Sequence, residues 1–116
     1  MGRASREKGA RAERAWAAFL REAGFEGARR GCQLYQRGSE IADVVGLPFI
    51  HQEIKHVEKL NLRAAMEQSI QDAKDEGRGN IPIVAHKTNR HEWLVTCRAA
   101  DWIRIFKAAL GKIRSD

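Results

Sequence analysis

Only two cysteines, Cys32 and Cys97, occur in the 116 residues, and neither stands at a metal-ligand spacing. That excludes a disulfide-stapled scaffold and favours buried free thiols in a reducing compartment over a disulfide. No apolar run approaches the roughly 20 residues that span a bilayer, so no membrane segment is expected. The N-terminal MGRASREKGARAER is basic but lacks the apolar core of a secretion signal, and a cytoplasmic protein is expected. The histidines His51, His56, His86 and His91 show no zinc spacing. Nucleotide-binding GxGxxG and P-loop patterns are absent, which leaves Gly24, Gly27 and Gly31 as turn glycines. No repeat and no Pro/Ser-rich linker divides the chain, so residues 1–116 are expected to form one domain, with 1–8 loose.

What is present is charge and a core. Hydrophobic residues make up 43%, enough for a globular domain, and charged residues 31%, with a net charge of +6. A basic surface draws polyanions by steering and counterion release, which makes nucleic acid the first partner to consider.

The hydrophobic pattern predicts the element order αβββαββα. Ala12, Trp16, Phe19 and Leu20 recur at helical spacing from about Ala10 to Ala23, where Gly24 ends the helix. Three strand-like runs follow: Cys32 to Gln36, Ile41 to Leu47, and Phe49 to His56. Asn61 can cap a second helix that runs to about Glu76, with Leu62, Ala65, Met66, Ser69 and Ile70 inward. Ile81 to His86 and Glu92 to Cys97 read as two more strands, and a last helix from about Ala99 to Leu110 carries Trp102, Ile105, Phe106 and Ala109 on one face. The helix between the third and fourth strands makes that pair parallel and the shorter connections antiparallel, which gives an α/β domain with a mixed central sheet flanked by helices. Trp16, Trp93 and Trp102 are expected in the core rather than as base-stacking platforms.

The chemistry is concentrated in the second and third strands. Alternation puts Glu53 and Lys55 on one strand face, roughly 7 Å apart, with Ile54 on the other. Asp43 lies in the apolar run Ile41-Ala42-Asp43-Val44-Val45, where an unpaired carboxylate is costly. If those strands pair, Asp43, Glu53 and the Ile54 carbonyl can converge on a hard divalent cation, Mg²⁺ or Mn²⁺. Lys55 would then orient the attacking water or stabilise a pentacovalent phosphate. Glu13, on the first helix, could join them. Against this, Glu-x-Lys is a common tripeptide that usually marks a solvated strand face, and Asp43 alone could be a turn residue. His51 shares the Glu53 face, but a plain surface histidine is the stronger reading for it.

The joint pattern resembles the PD-(D/E)xK nuclease superfamily, and within it the archaeal-type Holliday junction resolvases and their small phage relatives. The resemblance runs over about residues 8 to 97. It is carried by Lys8-Gly9, Glu13-Arg14, Arg30-Gly31, Asp43, Glu53-Ile54-Lys55, Gln68, Pro82-Ile83-Val84-Ala85-His86, the Lys87 to Arg90 turn and Trp93-Leu94-Val95. Ala42 departs from it, standing where the motif expects proline. The resemblance implies a restriction-endonuclease-like core and a metal-dependent DNA endonuclease, often a homodimer, from a phage or prokaryote. It implies metal ligands at Asp43 and Glu53, a catalytic Lys55, a supporting Glu13, and Gln68 near the site. A solvated helix face and a phosphate grip are equally good readings of Lys8, Arg11 and Arg14. DNA contact is favoured for Arg29, Arg30 and Arg37; Ser39 could touch the scissile phosphate and Glu40 assist the metal, although both residue types more often simply end a turn. Lys87 and Arg90 would extend the track. The expected function is a structure-selective endonuclease cutting branched DNA. A general nicking or flap endonuclease and a non-catalytic basic DNA-binding module are the alternatives.

Overall fold

The structure, a computed structural model, describes residues 3–31 and 42–115. The elements are α1 (Arg3–Glu22), β1 (Arg29–Arg30), β2 (Val44–Val45), β3 (Ile50–His56), α2 (Leu62–Glu76), β4 (Ile81–Lys87), β5 (Leu94–Cys97) and α3 (Ala99–Ser115). The strands form one five-stranded sheet in the order β1-β2-β3-β4-β5, parallel only between β3 and β4. The mixed α/β fold expected from the sequence is therefore the fold observed. No helix among the described residues is long and apolar enough to cross a membrane.

Helix α1 begins at Arg3 rather than near Ala10, so residues 3–8, expected to be loose, are helical. They carry no apolar stripe, but Arg, Ala, Glu and Lys propagate a helix that the buried turns further along already hold in place. The expected strand Cys32 to Gln36 lies outside the described residues, as do Arg37, Ser39 and Glu40; β1 stands just ahead of them. Cys97 is a half-buried free thiol, and Cys32 is also outside the described residues.

Each face of the sheet has its own core. Ala12, Trp16, Ala17 and Leu20 of α1 pack on Ala28, Val44, Ile54 and Ala85. On the other face Ala65 and Met66 of α2 pack on Val84. Period-two alternation explains the split, because Ile54 and Ala85 pair across β3 and β4, as do Glu53 and Val84. Asn61 caps α2 as expected, its Oδ1 accepting from the Ala64 N–H at 3.0 Å. Gly77 closes the helix at φ 72°, donating to Ala73 and Lys74.

One buried polar link ties α1 to the sheet. Trp16 Nε1–H donates to Gln52 Oε1 at 2.7 Å, and Gln52 Nε2–H donates to the Val44 carbonyl at 3.3 Å. Trp16→Phe keeps most of the ring and strips the donor from a fully buried acceptor. We expect it to cost about 1–3 kcal/mol, read as a lower urea midpoint at unchanged slope.

Helix α3 departs from expectation. It barely touches the rest of the fold, and Trp102 (54% exposed), Ile103, Ile105, Phe106 and Ile113 are open to solvent. Trp102 is thus not a core residue. Its helical spacing makes an apolar stripe, but periodicity does not say what covers the stripe.

Candidate active site

Strand β2 is only two residues long and registers on β3 through Val44 opposite Gln52. Asp43 forms a bend immediately before β2 and meets β3 at the same Gln52. The Asp43 backbone is held from both sides: its N–H donates to the Gln52 carbonyl at 3.0 Å, and its carbonyl accepts from Gly31 at 2.9 Å. Its side chain leaves the ladder, and Oδ2 accepts from the Ile54 N–H at 2.9 Å. Because the N–H and C=O of a strand residue point the same way, the Ile54 carbonyl is turned toward β2 as well.

These groups open on a cavity of about 460 Å³ lined by Lys8, Gly9, Ala12, Glu13, Asp43, Glu53, Ile54, Lys55, His56 and Val57. Glu53 is 5% exposed, which excludes the solvated-face reading of Glu-x-Lys. Burial, together with the charges of Glu53 and Glu13, pushes the Asp43 pKa up to about 7, against the opposing pull of the Ile54 N–H and Lys55. Asp43 and Glu53 thus stand together at one cavity, with Glu13 paired to Arg30, and a divalent cation is the natural partner of two such carboxylates.

The remaining candidates fall around this cavity. Arg30 Nε–H donates to Glu13 Oε1 at 2.8 Å and so fixes the carboxylate on α1. Gln68 shares a neighbouring hollow with Lys55, Val57 and Asn61. Lys8, Arg11, Arg14 and Arg29 are exposed, and of these Lys8 reaches the cavity wall. The Lys87 to Arg90 turn joins the end of β3, where His56 Nε2 lies 3.0 Å from Asn89 Oδ1. Lys87 Nζ sits over the Trp93 ring at 5.8 Å, and Arg90 is exposed.

Sequence reasoning misplaced His51. It is fully buried beneath α2, with Nδ1 2.9 Å from Glu76 Oε1. Burial lowers its pKa, but Glu53 and Glu76 outweigh that, and the net shift is upward. Glu76 Oε2 also accepts from the Ala42 N–H at 3.3 Å, which ties α2 to the start of β2. Glu76 and Asp72 stand four residues apart on α2 and flank the buried Ala73. That spacing was the one signal for them, and it is common on exposed helix faces.

No family model matches the chain, and no curated protein matches it either. Among solved structures the chain is similar to Hjc of Archaeoglobus fulgidus, described as a Holliday junction resolvase from an archaeal hyperthermophile. Identity is 26% and the TM-score 0.57, over 75% of this chain and 74% of that one. The likeness bears out the resemblance to the archaeal-type resolvases of the PD-(D/E)xK superfamily and the restriction-endonuclease-like α/β fold.

Proposed function

We propose that this chain is a metal-dependent DNA endonuclease that cuts branched DNA as a homodimer. The convergence of Asp43, Glu53, Glu13 and Lys55 on one cavity carries the reading. Asp43, Glu53 and the Ile54 carbonyl offer an all-oxygen ligand set that suits Mg²⁺ or Mn²⁺, with Glu13 close by. Such a cation, when bound, lowers the pKa of a coordinated water and neutralises charge on the phosphate. Lys55 lies beside Glu53 on the same strand face, where its ammonium can hold the attacking water and meet the growing negative charge. Gln68 borders Lys55 from α2 and can help position that water. Lys8, Arg11, Arg14, Arg29 and Arg30 lie on the α1 and β1 side of the cavity, with Lys87 and Arg90 past the far end of β3. Together they form a basic frame for phosphates. Arg37 and Ser39 belong to the same proposal by sequence position alone.

Labelled four-way junction, flap and linear duplex, each incubated with Mg²⁺, Mn²⁺ or EDTA, test the proposal. Junction cutting that requires metal is the expected result. Equal cutting of all three substrates removes the preference for branched DNA. Tight binding without cutting under any metal reduces the chain to a DNA-binding module.

The dimer rests on the uncovered faces. β5 is a sheet edge, and its exposed Leu94 and Val95 adjoin α3 in sequence. With the five exposed side chains of α3, Val95 makes an apolar face of roughly several hundred Å², whereas Leu94 alternates to the other side of the strand. Monomers rarely expose so much, and a two-fold axis would let one such face cover its own copy. Trp102→Glu puts a charge into the centre of that face. We expect it to shift the sedimenting species from dimer to monomer at micromolar concentration; an unchanged dimer would place the contact elsewhere.

A further inference from the structure

We propose that His51, Glu53 and Asp72 form a second cation site, buried between β3 and α2 and suited to a divalent transition-metal ion. One ligand atom from each of the three lies within 4.8 Å of the others. Ligand atoms roughly 2.0–2.2 Å from a shared ion stand about 3.3–3.8 Å apart, so the three side chains would close by up to about 1.5 Å around it. The decisive feature is His51 Nε2, which is fully buried and has no hydrogen-bond partner among the described residues. It stands 3.9 Å from Glu53 Oε1, too far for a hydrogen bond.

The other ring nitrogen fixes the tautomer. Nδ1 lies 2.9 Å from Glu76 Oε1, and an ionised carboxylate only accepts, so Nδ1 carries the hydrogen. Nδ1 keeps that hydrogen in either protonation state, so a cation would take the Nε2 position facing Glu53 and Asp72 and displace any proton there. A carboxylate that holds the far nitrogen of a histidine is the usual outer partner of a metal-ligating imidazole. An imidazole with two carboxylate oxygens favours Mn²⁺, Co²⁺ or Zn²⁺ over Mg²⁺, which prefers oxygen alone. The three acidic groups around one buried ring also exceed the single positive charge that a protonated His51 could supply. This site shares Glu53 with the cavity at Asp43 and does not require the nuclease reading.

Titrating the metal-stripped full chain with Co²⁺, followed by visible absorption and calorimetry, tests the inference without any cleavage assay. We expect two equivalents per chain, one of them with the absorption of a nitrogen-ligated ion. Asp72→Asn should weaken that equivalent at least tenfold and remove its spectrum, and His51→Gln should do the same. Asp43→Asn should weaken the other equivalent and leave the nitrogen-ligated spectrum in place. A spectrum and stoichiometry unchanged by Asp72→Asn in a protein with native circular dichroism overturn the site, and His51 is then an imidazolium clamped between Glu53 and Glu76. Should His51→Gln fail to fold, the half-buried Asp72 still decides. Loss of only the Asp43-dependent equivalent in the parent chain would sink the nuclease metal site and leave this one standing.

Discussion

Asp43→Asn is expected to stop cleavage and, in the same tube, to stabilise the metal-free protein above neutral pH. In the fold the Asp43 carboxyl is pushed from 3.8 to about 7, chiefly by burial and by the neighbouring Glu53 charge. The sign follows from proton counting. Between those two values the native state holds a proton that the unfolded chain has released, so stability falls as pH rises through that window. Above about pH 7 the folded protein carries the full cost of an ionised Asp43, a few kcal/mol by linkage. Asparagine has the same shape and no charge, and its amide oxygen can still accept from the Ile54 N–H. In EDTA the variant should match the parent near pH 4 and melt at least about 5 °C higher at pH 8. Mg²⁺ should narrow or reverse that gap, because the ion binds the folded parent and offsets the same charge. Cleavage should fall by about 10³-fold or more, since the variant loses a metal ligand. Equal melting temperatures in EDTA at pH 8 would mean that Asp43 ionises in the fold at no cost.

The sheet and the meeting of Asp43 with Glu53 were legible because two simple rules acted together. Alternation fixed which side of β3 faces which helix, and the cost of a carboxylate in an apolar run marked Asp43. Neither rule reaches across elements. His51 alternates with Glu53 in the sequence, but its burial depends on α2 lying over it with Glu76 at 2.9 Å, and no local pattern reports that contact. The period of α3 was readable and its exposure was not, because an amphipathic stripe looks the same whether its own sheet or a second copy covers it. The start of α1 was misjudged for a related reason. Apolar periodicity ends near Ala10, whereas the helix continues on propensity to Arg3.

Lys55→Ala should lose about 10²–10³-fold in the cleavage step while binding branched DNA almost as tightly as the parent. The two effects separate because Lys55 is one of 21 lysines and arginines, and a single phosphate contact lowers the salt slope of binding by only about one. Its position, by contrast, has no substitute. It lies one pleat along β3 from Glu53, lines the same cavity as Asp43, and borders the hollow that holds Gln68. Its charge also pulls the Asp43 carboxyl down. Removing it makes the carboxylate cluster more negative, so divalent binding should tighten rather than weaken. A rate loss caused by poor metal loading would disappear at high Mg²⁺, whereas a loss of the ammonium from the transition state would persist at saturation. Single-turnover cleavage of a four-way junction across a Mg²⁺ series distinguishes them, with filter binding in Ca²⁺ as the affinity control. Full recovery of the rate at saturating Mg²⁺ would confine Lys55 to the electrostatics of the ligands, and a persistent deficit assigns it to the reacting phosphate.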